Sequence, residues 1–304
     1  MKQFFYLGFW FFKVKFLRKK IPLQTVLFIN DECNLSCKHC SVYNHTNPHR
    51  KTYEEIKEEL LYSYNLGSRF VDFEGGEPLL WEDNEYRIND LIALAKKIGF
   101  FSVTVTTNGQ LPFSHLIADS IWVSIDGLQQ YHDEIRGKGV FDCACKNIAE
   151  SNYQNLNINM VINSKNYHSV NDTIRFAKDN PHIKAISLNF YTPHSGKDDP
   201  LLLDWEQRKK VIDDIILMKK NAFPIINSIA GLKKMKNNNF KKHCWISNFI
   251  LPDKSRINGC PLAASPICDY CGYCMAGEMA SVFQLQPETI FSALKLRIKS
   301  IRKK

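Results

Sequence analysis

Between residues 23 and 191 six strand-length runs alternate with helical stretches, and no other feature limits the fold as strongly. The runs 23–30, 69–74, 101–107, 120–125, 156–163 and 184–191 are rich in Val, Ile, Phe and Thr, residue types that suit a pleated, half-buried surface. The intervening stretches 53–66, 83–98, 111–118, 131–151 and 168–179 have helical composition or spacing. Thr52, before Tyr53, Glu54 and Glu55, offers an N-cap over an acidic first turn. Strands separated by helices pair in parallel through right-handed crossovers, so the alternation predicts an α/β fold, either an open partial (β/α) barrel or a doubly wound sheet. With 304 residues, 44% of them hydrophobic, the chain can bury a full core, which excludes a disordered chain. A longer helix is expected over 204–221, then a Lys/Asn-rich stretch at 233–242 and a group of five cysteines. These shifts divide the chain into an N-terminal segment 1–20, a barrel 21–221 and a cysteine-rich extension 222–304.

Forty Lys and Arg against 31 Asp and Glu give a formal charge of +9, yet the excess sits at the two ends. Residues 1–20 hold six bases (Lys2, Lys13, Lys15, Arg18, Lys19, Lys20) and no acid, and residues 295–304 hold six more (Lys295, Arg297, Lys299, Arg302, Lys303, Lys304), again with no acid. The body between them has 28 bases and 31 acids, a net −3, so no nucleic-acid partner is expected, because phosphate binding needs a basic face on the folded body. At the N-terminus Phe4, Phe5, Phe9, Trp10, Phe11, Phe12 and Phe16 stand beside the cations. Lys13 and Lys15 interrupt the apolar run, no small-residue cleavage site follows, and the run is too short to cross a bilayer. The segment reads either as an interfacial amphipathic helix on an anionic membrane surface or as a helix that packs its aromatic side onto the domain.

Six of the ten cysteines fall in two tight groups, Cys33/Cys37/Cys40 and Cys268/Cys271/Cys274. Cysteines two or three residues apart rarely meet disulfide geometry, so metal ligation in a reducing, cytoplasmic compartment is the better reading; the basic aromatic segment adds peripheral contact with the inner face of the membrane. The first group follows the first strand, at the strand end where α/β folds place their chemistry. Three thiolates in C-x3-C-x2-C spacing fit three corners of a cubane 4Fe-4S cluster and leave the fourth iron open. A zinc site built from Cys33, Cys37, Cys40 and His39 suits the ligand types but leaves the motifs at the later strand ends unexplained. Cys143 and Cys145, in a C-x-C pair on an expected helix, point to different faces and read as structural.

Those motifs are Glu74-Gly75-Gly76-Glu77-Pro78 after the second strand, Thr106-Thr107-Asn108-Gly109 after the third, Ser124-Ile125-Asp126-Gly127 after the fourth, and His132-Asp133-Glu134-Ile135-Arg136-Gly137 beyond it. With the loop Cys33-Asn34-Leu35-Ser36-Cys37-Lys38-His39-Cys40, the ordered set resembles the radical S-adenosylmethionine (SAM) enzymes. The resemblance implies a partial (β/α)6 TIM-like barrel and a 4Fe-4S cluster on Cys33, Cys37 and Cys40, with SAM on the open iron. It implies a cofactor-binding set of Gly75, Gly76, Glu77, Thr107, Asn108, Ser124, Asp126 and Arg136, with Asn163 or Asn166 after the fifth strand. In that family Gly-Gly-Glu-Pro contacts the methionyl amino group, and two glycines allow such a close approach. The implied chemistry is reductive cleavage of SAM to a 5′-deoxyadenosyl radical, fed by a reductant such as flavodoxin or ferredoxin.

Cys244, Cys260, Cys268, Cys271 and Cys274 supply five ligands for a second site, of which four would suffice for another 4Fe-4S cluster or a structural zinc. The segment 251–260 resembles the hairpin before the second cysteine in SPASM or twitch extensions, which implies a peptide or protein substrate. The tail from Cys268 to Cys274 resembles that of the radical SAM proteins that add adenosyl to hopanoid lipids. Together with the two basic apolar ends, that makes a lipid or isoprenoid substrate at a membrane surface the leading expectation, a peptide-modifying maturase the alternative, and a non-catalytic Fe–S or zinc module a third.

Overall fold

The computed structural model describes residues 2–194 and 196–301, with side chains of the last helix described to residue 294. The basic tail residues from Lys295 to Lys304 therefore lie outside the described side chains. The six expected strands are present as β1 (Gln24–Phe28), β2 (Phe70–Glu74), β3 (Ser102–Thr107), β4 (Ser120–Ser124), β5 (Leu156–Ile162) and β6 (Ala185–Phe190). All pair in parallel in sequence order. Helices α2 (Tyr53–Leu66), α3 (Ile88–Ile98), α4 (Gln130–Arg136), α5 (Val140–Glu150) and α6 (Val170–Asp179) make the crossovers. Alternate strand residues, such as Val71 and Phe73, Val103 and Val105, or Ile121 and Val123, join one core cluster with Ile56, Leu60, Leu91 and Ile148 of the helices. The other alternates therefore face the inner, concave side. Thr52 caps α2 as its spacing predicts, in a reciprocal box with Glu55.

Three local departures have physical causes. The stretch expected as a helix from residue 83 begins with a two-strand hairpin (Glu82–Asp83 and Tyr86–Arg87), because Asn84 takes a positive φ of 49° and turns the chain. Residues 111–118 are irregular, with Phe113 and Leu116 buried in the core without a helical turn. The stretch 131–151 splits into α4 and α5 at Gly137 and Gly139, whose φ values of 123° and 78° no helix interior admits.

Beyond α7 (Trp205–Lys220) and α8 (Ile229–Lys234) the chain returns to the sheet. Strand β7 (Ser247–Ile250) pairs in parallel with β1, and β8 (Arg256–Asn258) pairs antiparallel with β7, forming the hairpin before Cys260. The sheet runs β8-β7-β1-β2-β3-β4-β5-β6. From beyond residue 222, Ile225, Leu232, Met235, Ile250 and Cys274 pack into the barrel's main core, while Ile246 and Phe283 form a second cluster with Trp10 and Val14. Helices α9 (Met275–Phe283) and α10 (Pro287–Ile301) complete the chain.

The N-terminal helix α1 (Lys2–Lys15) has two unlike faces. Trp10 and Val14 are buried against Ile246 and Phe283, and the Trp10 indole donates to the Ile21 carbonyl at 2.9 Å. On the other side Phe5, Phe9, Phe12 and Phe16 stay 77%, 57%, 51% and 63% exposed. No described helix is long and apolar enough to cross a membrane. Trp10→Ala is expected to destabilise the protein by about 3–5 kcal/mol and Phe5→Ser to change stability by less than about 0.5 kcal/mol, read from urea unfolding. Equal effects would mean that α1 does not pack as described.

Candidate metal centre and cofactor site

The loop after β1 brings Cys33, Cys37 and Cys40 to the carboxyl end of the sheet, half-buried, buried and exposed respectively. Backbone contacts with the motif after β2 hold it. Gly76 donates to the Asn30 carbonyl at 3.0 Å, Glu77 donates to the Glu32 carbonyl at 2.8 Å, and Asn30 Nδ2 donates to the Glu77 carbonyl at 3.1 Å. A Cβ on Gly75 would collide with Asn30, and one on Gly76 with the backbone of Asp31 and Glu32. The two glycines thus allow two loops to touch. Leu35 N–H and Val42 N–H donate to Cys33 and Cys40 sulfur, both at 3.4 Å, a polarity suited to thiolates. Burial pushes the Cys33 thiol up to about 11 and raises Cys37, with the Arg136 guanidinium opposing the shift at Cys37. Among the described residues no three His, Cys, Asp or Glu side chains converge at metal-binding distance, and none of the ten cysteines is paired in a disulfide.

The expected cofactor set gathers around this loop, but several members are fully committed to one another. Glu77, wholly buried, accepts from Thr107 Oγ1 at 2.7 Å, the Asn108 backbone at 2.7 Å and the Leu79 backbone at 3.1 Å. Its carboxylate ties β2 to β3, and burial still pushes it up to about 7. Asn108 Nδ2 donates to Asn34 at 2.7 Å and lies 3.7 Å from Cys33 sulfur. Asp126 pairs with Arg136 at 2.7 Å, accepts from Val161 N–H at 2.8 Å and faces His39 Nε2 at 3.5 Å. The Arg136 charge holds the Asp126 carboxylate below the usual range despite burial, and Arg136 in turn reaches to 4.0 Å from Cys37 sulfur. Asn166 is spent on the Asp126 and Val161 carbonyls and the Asn163 backbone.

What is left over is suited to a ligand. Asn163 Nδ2, His39 Nδ1 and Asn30 Oδ1 are buried polar atoms with no partner among the described residues, and such atoms cost free energy until something pairs with them. Ser124 is half-buried at the inner end of β4. Unpaired donors, a pinned glycine loop and three unoxidised thiols fit a thiolate-ligated cluster with a polar small molecule against it. His39, an alternative zinc ligand by sequence, turns toward Asp126.

Sequence reasoning missed the inner wall of the barrel. Asp72 and Glu74 of β2 face inward beside Thr104 and Thr106, and Thr106 Oγ1 lies 3.2 Å from both Asp72 oxygens. Neither carboxylate has an ion-pair partner among the described residues. Burial pushes Asp72 up to about 6, and burial with the neighbouring Asp72 raises Glu74 further. Tyr273 projects to the same two groups from the cysteine-rich segment. The signal was present in the run Phe70-Val71-Asp72-Phe73-Glu74, where acids occupy every second position of a strand.

The second cysteine group is laid across the sheet edge. Phe190 N–H of β6 donates to the Gly272 carbonyl at 2.8 Å, Gly272 N–H donates to Thr192 Oγ1 at 2.9 Å, and Cys274 N–H donates to Asn189 Oδ1 at 2.9 Å. Residue 272 must be glycine, since a Cβ would strike the Phe190 carbonyl. Cys244 has Cys260, Cys271 and Cys268 as electrostatic neighbours and Cys274 has Cys271. Cys143 bonds to the Gln110 carbonyl and Asn147 and stands apart from both groups.

The sequence profile of the Radical SAM superfamily matches residues 27–177, a span that runs from within β1 to within α6 and holds the first cysteine loop and the motifs after β2, β3 and β4. The chain belongs to the radical SAM superfamily. Among curated radical SAM relatives, the sporulation killing factor maturation protein SkfB of Bacillus subtilis is 30% identical over 171 residues, covering 51% of this chain and 39% of SkfB. The mycofactocin maturase MftC of Mycolicibacterium smegmatis is 24% identical over 149 residues, covering 46% and 38%. A probable GTP 3′,8-cyclase of Methanococcus aeolicus is 28% identical over 161 residues, covering 49% and 54%. The chain thus matches about half or less of the length of these relatives. Among solved structures, Streptococcus suis SuiB bound to S-adenosylmethionine superposes with a TM-score of 0.63 at 16% identity, covering 81% of this chain and 62% of SuiB. Native anSMEcpe with AdoMet and a peptide gives 0.59 at 16%, covering 88% and 81%. At such identities the structural likeness establishes the shared partial-barrel fold.

Because the folded state holds Asp72 with a raised pKa, its ionisation opposes folding: the penalty is absent below about pH 4, grows as pH rises toward 6 and is complete above. Asp72→Asn is expected to melt higher than wild type at pH 8, with the advantage shrinking to nothing near pH 4. A pH-independent difference in melting temperature would contradict the inward, unpaired placement.

Proposed function

We propose that this chain is a radical SAM enzyme that modifies a peptide or protein substrate. A 4Fe-4S cluster held by Cys33, Cys37 and Cys40 would supply the electron for reductive cleavage of SAM to methionine and a 5′-deoxyadenosyl radical, which would act on the substrate. The chain's own residues position and shield. Cys33, Cys37 and Cys40 hold the cluster, the glycine pair and Glu77 fix the loop that carries them, and Asn163, Asn30, Ser124 and His39 offer free polar atoms to the cofactor. The cysteine-rich segment would hold a second 4Fe-4S cluster on four of its five thiols, able to carry the electron left on the substrate radical away.

The observation that carries the peptide reading is the likeness to SkfB and MftC, both named maturases, and to SuiB, solved with its precursor peptide SuiA. With the peptide reading preferred, the lipid or isoprenoid substrate becomes the second reading. It rests on the bare aromatic face of α1 beside cations unbalanced by any acid in residues 1–20.

Anaerobically reconstituted protein given SAM and dithionite should release methionine and 5′-deoxyadenosine, and Cys37→Ala should release neither while keeping the second site's metal. No product from wild type would sink the enzymatic reading. A Phe5/Phe9/Phe12/Phe16→Ser variant should lose sedimentation with phosphatidylglycerol vesicles yet cleave SAM normally. Wild type that never sediments would remove the membrane reading.

A further inference from the structure

Arg208 of α7 is 2% exposed and has no carboxylate partner among the described residues. One nitrogen, Nη2, donates to the Cys271 carbonyl at 2.9 Å. Nε has no partner among the described residues. The guanidinium carbon lies 4.5 Å from the Phe190 ring centroid and 4.8 Å from that of Trp205.

Two other buried bases make the anomaly plain. Arg136 is neutralised by Asp126 at 2.7 Å. Lys51 turns its ammonium to three carbonyls, of Phe28, Leu251 and Pro252, one for each N–H. Arg208 has five N–H donors and satisfies one of them on the protein. A buried charge without a partner is costly, and two aromatic faces with one charged hydrogen bond offset only part of that cost while Nε keeps an unused donor.

The guanidinium is laid against the Cys271 backbone, and Cys274 and Cys271 are the acidic groups whose charge acts on it. As neutral thiols they would offer it little; as thiolates bound to iron they would bring the missing negative charge. We infer that Arg208 is the counter-cation of the second cluster, set against the loop that carries Cys271. Asn238 Nδ2 donates to the same Cys271 carbonyl at 2.8 Å, so the loop is gripped without help from a charge. Holding the loop therefore does not explain why the residue is a cation.

The inference rests on the proposed second cluster, and one experiment separates the two. Wild type, Arg208→Gln and Arg208→Lys are reconstituted anaerobically, iron and sulfide are counted, and both clusters are titrated by EPR against potential. Reduction adds negative charge, and a nearby cation favours it. Arg208→Gln, which keeps a donor for the Cys271 carbonyl, should move the second midpoint to more negative potential or lose that cluster alone. Arg208→Lys should stay near wild type, and the SAM-site midpoint should stay put in all three. Four irons in wild type would overturn the cluster reading and the inference with it. Eight irons with the second midpoint unmoved in Arg208→Gln, or the same change or cluster loss in both variants, would overturn the role of Arg208 alone.

Discussion

The carboxylate of Glu77 is the tie on which the site depends. Buried at the end of β2, it accepts from Thr107 and the Asn108 backbone on β3, while its own backbone grips the cysteine loop after β1. Three strand ends are thereby joined through one residue. With that tie in place the two glycines before it can press against Asn30 and Glu32, and the thiols keep a fixed relation to the sheet. Asp126 repeats the device one strand further on, tying β4 to β5 through Val161 and to the cysteine loop through Arg136 and His39.

Much of this could be read from the chain alone, because the fold is written in local terms. Six β-rich runs, each ending in a glycine or polar motif, place the strands and mark the sheet end that carries the chemistry. Local patterns failed where tertiary contacts decide. Phe113 and Leu116 are buried without forming a helix, and Gly137 and Gly139 break a stretch whose composition favours one. The strand β7 lies more than two hundred residues from its partner β1, and a four-residue run next to cysteines carries no sign of where it will pair.

The same division holds at the site. The motif residues come together as a set, but their spacing could not say which of them bond to each other and which remain free. Glu77, Asp126 and Asn166 turn out to be spent on the protein, whereas Asn163 and His39 keep an unpaired nitrogen. The inward acids Asp72 and Glu74 stood in plain view in β2. Their meaning rests on the curvature of the sheet and on Tyr273, which arrives from the far end of the chain.

The pairing of β7 with β1 also orders events in time. As the chain is synthesised, the cysteine loop after β1 emerges early, with one edge of its strand still bare. That edge is covered only when residues 247–250 arrive, and pairing across such a separation is slow because the loop-closure entropy must be met first. The late segment that closes the sheet is also the one that carries the second set of cysteines, from Cys244 to Cys274.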